Sequence, residues 1–348
     1  MFIIFIFIFN FKKIVIKMKQ RMKKTIIIFF IKLIFIIFLG IGTIYYYIVE
    51  EKNIKGWIKY NKNPVLGNNK TDTVFDPFVM IDNNGLYRMY ISWRIYGEIA
   101  ISTSKDGIIW SNLDIALKKG SNNSWDKIVN RATVLYLDGM YHMWYTGQNN
   151  EISKIGYARS DNGYSFKKFD KPVLIPEYNF EKNSVMNPHV IYDEKEKIYK
   201  MWYAAGETYE PDVIGYATSK DGINWTKHKG NPIFTPNKNK LSLDSYKIGG
   251  CDLHKISDNK YILFYIGYSD INTARIFVAE SKDGITNWKR KINPIIYSFN
   301  KEDFDGDACY KPSAIYDKKN NKWMLWYNGR KKNKEYIGLA IYNNSNIF

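Results

Sequence analysis

Five residues head what read as equivalent segments of the chain: Asp76, Arg131, Asn187, Gly250 and Lys311. Two positions further on, and so on the same side of a strand, come Phe78, Thr133, His189, Asp252 and Ser313. The segments that follow end near Arg94, Gln148, Glu207, Tyr268 and Arg330. Acid, base, amide and cation together exceed what packing needs, because apolar residues would fill a core. Gathered into one ring, they suit proton transfer. Opposite charge nearby favours an ionised carboxylate, so Asp76 beside Arg131 and Lys311 suits a base that activates water or a group that orients a hydroxyl. The proton donor then falls to Glu207 or Asp252. Plainer roles compete: Asp76 caps a turn before Pro77, Arg131 and Lys311 neutralise buried acids, His189 is a satisfied structural histidine, and Glu207 is a surface-loop glutamate. Asp126, Glu181, Asp244 and Asp305 recur ahead of four segments and read as turn or strand caps. Trp93, Trp125 and Tyr268 offer flat faces for a ligand to stack on. No metal-ligand cluster, phosphate loop or Ser-His-Asp pattern stands out, and no cofactor is expected.

The elements that must position these residues are repeats. Ser104-Lys105-Asp106-Gly107 recurs as Ser160-Asp161-Asn162-Gly163, Ser219-Lys220-Asp221-Gly222 and Ser281-Lys282-Asp283-Gly284. Asp-Gly and Asn-Gly accept positive φ and mark hairpin turns. A second phrase precedes each and occurs once more after the last: Tyr87-Arg88-Met89-Tyr90, Tyr141-His142-Met143-Trp144, Tyr199-Lys200-Met201-Trp202, Tyr261-Ile262-Leu263-Phe264 and Trp323-Met324-Leu325-Trp326. Four antiparallel strands recurring every 55–63 residues predict propeller blades. The last repeat lacks its final strand, and Gly56–Val65 resembles the blade-ending phrase Asn224–Ile233. The first strand is therefore expected to complete the last blade and close the ring, which removes exposed edges. The expected fold is all-β, a five-bladed β-propeller over residues 56–342.

Net charge is +17, which raises nucleic acid as a partner. Residues 1–50 hold eight of the basic residues and one acid, however, and many remaining lysines sit in Lys-Asp and Lys-Asn turns. A solvated lysine-rich surface is the simpler reading, with no nucleic acid bound. Residues 25–49 carry one charge, Lys32, and about 20 apolar residues span a bilayer. With the basic stretch 1–24 kept in the cytoplasm, this segment reads as one transmembrane helix that anchors an extracytoplasmic propeller. Secretion after signal cleavage is the competing reading. Met18 or Met22 is an alternative start. Two cysteines, Cys251 and Cys309, make no disulfide framework.

Asp76-Pro77-Phe78-Val79, Asn187-Pro188-His189-Val190 and Asn63-Pro64-Val65-Leu66 resemble phrases of the five-bladed propeller glycosidases. These are the arabinanase, xylosidase and invertase-like families together with the mannoside phosphorylases, and the resemblance spans about residues 56–342. It implies a carbohydrate-active protein that cleaves or phosphorolyses a glycosidic bond in a central pocket. An oligosaccharide or polysaccharide is the implied partner, with phosphate as a possible second one. Asp76 matches the aspartate at the start of the first inner strand in such families. Where the hydrolases use another Asp and a Glu, this chain has Arg131 and Asn187. The phosphorylases hold phosphate with cations, which Arg131, His189 and Lys311 would mimic. Arg94, Asn187 and Arg330 complete the expected binding set beside the catalytic candidates Asp76, Glu207 and Asp252. The alternative is a non-catalytic glycan-binding propeller, and a protein-interaction scaffold is the third reading. Two carboxylates roughly 5–10 Å apart across the pocket would favour catalysis.

Overall fold

The computed structural model describes residues 56–68 and 70–348. The expected membrane segment at 25–49 and its basic flank lie outside the described residues. Among those residues, no helix is long and apolar enough to cross a membrane. The described chain is all-β apart from one 3-10 turn at Asn179–Glu181.

The strands fall into five units of four antiparallel strands, the second and third joined into one eight-stranded sheet by a single parallel pairing of Ser184 with Ser153. β1 (Trp57–Lys59) stands first in the chain. The first complete blade is β2 (Val74–Ile81), β3 (Tyr87–Trp93), β4 (Glu98–Ser104) and β5 (Asp114–Leu117). The second is β6 (Ile128–Leu137), β7 (Met140–Asn149), β8 (Ile152–Ser160) and β9 (Lys167–Lys168). The third is β10 (Ser184–Asp193), β11 (Ile198–Gly206), β12 (Pro211–Ser219) and β13 (Thr226–Lys227). The fourth is β14 (Lys247–Ser257), β15 (Lys260–Asp270), β16 (Thr273–Ser281) and β17 (Lys289–Arg290). β18 (Ala308–Asp317), β19 (Lys322–Lys331) and β20 (Lys334–Tyr342) begin the fifth. β1 supplies its outer strand, pairing Trp57 with Tyr342, Ile58 with Ile341 and Lys59 with Ala340. The inner strands close a circle: β2 packs on β6 and β18, β10 on β6 and β14, and β14 on β18.

The repeated phrases act between blades. In each turn the serine hydroxyl accepts the glycine N–H, as from Gly222 to Ser219 at 2.9 Å, and the glycine takes positive φ, 74° at Gly222. The second-strand aromatic of the preceding blade then reaches that turn. Tyr90 Oη donates to Gly163 O at 2.8 Å, Trp144 Nε1 to Gly222 O at 2.7 Å, and Trp202 Nε1 to Gly284 O at 2.8 Å. Trp326 Nε1 donates to Gly107 O at 2.8 Å, from the fifth blade back to the first. The fourth blade has Phe264 at this position. The fifth has no such turn to accept a bond, and Trp57 instead meets the Phe264 ring edge-on at 6.0 Å.

The four recurring acids clamp their own blades. Asp126 pairs with Lys168 at 2.6 Å, Glu181 with Lys227 at 2.8 Å, Asp244 with Arg290 at 2.6 Å and Asp305 with Lys59 at 2.5 Å. Each also accepts a second-strand tyrosine hydroxyl, from Tyr145, Tyr203, Tyr265 and Tyr327. The clamp ties the loop before a blade to its second and outer strands. In the fifth blade it seals the junction between the first and last strands.

Candidate functional site

First-strand starts, second-strand ends and third-strand starts share one face of the ring. Each inner strand breaks register there, for example between Phe75 and Phe78, Asn130 and Thr133, and Tyr310 and Ser313. Asp76, Arg131, Asn187 and Lys311 take positive φ of 50°, 57°, 50° and 25°. Aspartate and asparagine tolerate this region, whereas arginine and lysine adopt it at a cost. The break frees backbone N–H groups that side chains of the preceding blade accept. Asp76 N–H goes to Asn328 Oδ1 at 3.3 Å, Arg131 N–H to Ser92 Oγ at 2.8 Å, and Asn187 N–H to Thr146 Oγ1 at 3.0 Å. Gly250, at the fourth position, is a glycine because Asn187 crowds it: a Cβ there would lie 2.7 Å from Asn187 Cγ.

A cavity of about 340 Å³ opens on this face. Of the expected residues, Asp76, Arg131, Asn187, Arg94 and Arg330 line it, with Gln148, Trp93 and Tyr268. Arg131 Nε donates to Asp76 Oδ2 at 2.8 Å. Arg330 lies over the Tyr310 ring at 5.3 Å and donates to Asn272 O at 3.1 Å. Arg94 lies over Phe75 at 4.4 Å and pairs with Glu335.

The other expected residues lie off the cavity. Glu207 is half-exposed and pairs with Lys182 at 3.1 Å and with Lys247. Those two lysines hold its carboxyl below the usual range, which does not suit a proton donor. Asp252 is 3% exposed. It receives His254 Nε2 at 2.8 Å and Ala314 N–H at 2.7 Å, and His189 Nδ1 lies 3.1 Å from its other oxygen. Burial alone would raise its pKa, but the two histidines hold it well below the ordinary value. His189 is buried with it, and burial pushes its imidazole pKa down. Lys311 is buried and its ammonium donates to Cys251 O at 2.7 Å. Asp252 and His189 thus weld blades three, four and five beneath the cavity. Trp125 stacks on Tyr145, 6.0 Å between centroids, and packs in its blade core.

Two carboxyls that the sequence reading did not single out line the cavity instead, Glu210 and Glu335. Glu210 sits three residues past Glu207 on the loop from β11 to β12. Its carboxyl takes a hydrogen bond from the Tyr268 hydroxyl, and burial pushes its pKa up against the pull of Arg131 and Arg330. Lys247 pins this loop by donating to Glu210 O at 3.0 Å. Glu335 starts near the head of β20. Burial raises its pKa, Arg94 opposes this and Asp76 adds to it. Asn328 joins the two acids, accepting Asp76 N–H and donating Nδ2 to Glu335 Oε2 at 2.6 Å. Third-strand starts share the face by the same alternation that places second-strand ends, so Glu335 was open to topological reasoning; Glu210 needed the loop's path.

Residues 98–243 match the Glycosyl hydrolases family 32 N-terminal domain. The chain is 31% identical over 179 residues to a 1,2-beta-oligomannan phosphorylase of Thermoanaerobacter sp. (strain X514), covering 48% of this chain and 54% of that protein. It is 31% identical over 166 residues to a beta-1,2-mannobiose phosphorylase of the same organism, covering 43% and 51%. The chain thus spans about half the length of these two curated relatives. Among solved structures, one from the GH130 family of mannoside phosphorylases superposes with a TM-score of 0.64 at 18% identity, covering 84% of this chain and 94% of that one. That family is described with it as containing glycoside hydrolases that target beta-1,2 mannosidic linkages in Candida mannan. In fold, and in sequence over its matched stretches, the chain resembles the propeller glycoside hydrolases and the mannoside phosphorylases.

Proposed function

We infer that the cavity binds a sugar and cleaves its glycosidic bond, with Asp76 and Glu210 as the working carboxyl pair. The observation that carries this is the contrast between two acids on one cavity. Asp76 is ion-paired with Arg131 at 2.8 Å, whereas burial pushes Glu210 up and its hydrogen-bond partner is the neutral Tyr268 hydroxyl. Carboxyls in opposed environments divide into acid and base. Glu210 donates a proton to the leaving oxygen, and Asp76 activates water or steadies the developing charge. Asn187 and Arg94 contact the substrate from neighbouring walls.

One observation favours phosphorolysis as a second reading. Arg131 Nη1 and the Tyr310 hydroxyl are buried on the cavity without hydrogen-bond partners, and Arg330 lies beside Tyr310. These donors suit an oxyanion. His189 and Lys311 do not join them. The relatives' substrates make β-1,2-linked mannosides the first to try. Incubation with an oligosaccharide panel, with and without inorganic phosphate, separates the readings. Free reducing sugar formed without phosphate supports hydrolysis, and sugar 1-phosphate supports phosphorolysis. Binding without turnover supports a glycan-binding propeller. In a turning-over enzyme, Asp76→Asn lowers the rate about 10²-fold or more; near-normal turnover would refute the role given to Asp76.

A further inference from the structure

Glu210 ends the short loop from Glu207 to Glu210 that joins β11 to β12. The hairpin ladder shifts register after Ala205 and stops at the pair of Gly206 with Pro211. Gly206 turns the chain at a φ of 126°, and a Cβ there would overlap the Asp212 carboxylate. Pro211 brings no N–H to the pair. The loop must therefore be held by means other than its own strands.

Side chains from three blades hold it. Thr208 is 3% exposed. Its hydroxyl donates to Glu151 O, in the turn between β7 and β8, and meets Ser184 Oγ on β10. Lys247, at the head of β14, reaches across from the fourth blade with its side chain 6% exposed. It bonds a Glu207 carboxylate oxygen, donates to Glu210 O at 3.0 Å, and lies 3.0 Å from Asp212 Oδ1. An ammonium has three protons to give, and here they meet both ends of the loop and the strand that follows it. Burial opposes the Lys247 charge, but Glu207 and Asp212 outweigh it and hold its pKa up. Lys182, just ahead of β10, completes the set, 3.1 Å from Glu207 Oε1 and 2.7 Å from Asp212 Oδ2.

We propose that Lys247 is the positioning residue for Glu210: with Glu207 and Lys182 it locks the loop so that the Glu210 carboxyl stays against the Tyr268 hydroxyl in the cavity. Lys247 touches the main-chain carbonyl of Glu210 rather than its carboxyl, so its action is on place. The groups that face the carboxyl come from other strands: Tyr268 on β15, Arg131 on β6, Arg330 on β19, Asp76 on β2 and Tyr310 on β18. Glu207 then serves the reaction as the counter-ion of the brace. This rests on the reading of Glu210 as the proton donor, and it assigns a task to a lysine that touches neither substrate nor reacting atoms.

Removing the brace strands no deeply buried charge, because Glu207 and Asp212 both keep Lys182. The fold is therefore expected to survive Lys247→Met. Isotopic labelling of glutamate carboxyl carbons in the full-length protein lets Glu210 be titrated by NMR, its signal being the one absent from Glu210→Gln. In the unsubstituted protein burial holds that carboxyl above the ordinary glutamate range. In Lys247→Met the freed loop lets water reach it, and its midpoint falls toward that range. Removing a cation would by itself raise a neighbouring carboxyl, so a fall reports displacement. Lys247→Arg, which still spans carboxylate and carbonyl, keeps the raised midpoint. Lys182→Met, at a half-exposed site, shows a smaller fall and decides the question if Lys247→Met does not fold. A raised midpoint that neither methionine variant lowers, even with melting points reduced, would make the lysines merely structural and overturn the brace while leaving the acid standing. An ordinary midpoint in the unsubstituted protein would sink the acid role of Glu210 and this proposal with it.

Discussion

Asp252 illustrates how a residue's surroundings, rather than its type, decide its use. Its place two positions along the inner strand was readable from the repeats, and so was its alignment with His189 and Ser313. What the alignment did not carry is depth. One step down the strand from the cavity, the ring closes on itself, and a carboxylate there must be met by neighbours. His189, His254 and the Ala314 N–H meet it. The other titratable groups about it are Lys311, whose ammonium donates to Cys251 O, and the buried Cys251 thiol, whose pKa burial pushes up to about 12. Because the folded Asp252 carboxyl is held well below its ordinary 3.8, its contribution to stability is complete above that value and fades as pH falls through it. Asp252→Asn should therefore lose about 1.5–3 kcal/mol at neutral pH, with the gap to the unsubstituted protein narrowing below about pH 4. Urea unfolding at several pH values reads this directly, and a gap that stays constant into acid would contradict it. By contrast, Asp76, Arg131 and Asn187 were readable as cavity residues because they head the inner strands. Glu210 was not, since loop geometry and not strand alternation places it three residues beyond Glu207.

At the scale of the element, the blade was legible almost throughout: the turn phrase, the aromatic phrase and the missing last strand all appear where the repeats predict. The turns are structural, as their Asp-Gly chemistry implied, but their partners lie in the adjacent blade and no local pattern announces that. The aromatic position shows the dependence most plainly. It carries a donor, Tyr90, Trp144, Trp202 or Trp326, wherever a turn carbonyl faces it, and is Phe264 where β1 replaces the turn. Trp202→Phe would leave the buried Gly284 carbonyl unmet, so a loss of about 1–3 kcal/mol is expected in denaturant unfolding. An unchanged midpoint would mean that the cross-blade bonds do not couple the blades. The acid–tyrosine–cation clamps were read only as caps, because the cation lies some 40 or more residues away along the chain, as Lys168 does from Asp126.

For the whole molecule, the repeats predicted ring closure through the first strand, and β1 does pair with β20. Lys59 adds an ion pair to that seam, meeting an Asp305 side chain that is 1% exposed. Lys59→Met would strand that carboxylate, so about 3–5 kcal/mol should be lost, visible as a lower denaturant midpoint; a midpoint like that of the unsubstituted protein would remove the pair from the account of closure. The closed ring is what brings acids from the first, third and fifth blades to one cavity, and the central claim concerns two of them. The most direct test compares Glu210→Gln with the unsubstituted protein on two substrates: the oligosaccharide that the panel identifies, and an aryl glycoside of the same sugar whose leaving group needs no protonation. If Glu210 gives the proton, the oligosaccharide rate falls about 10²- to 10⁴-fold while the aryl glycoside rate falls far less. Equal losses on both substrates, or none on either, would contradict the assignment.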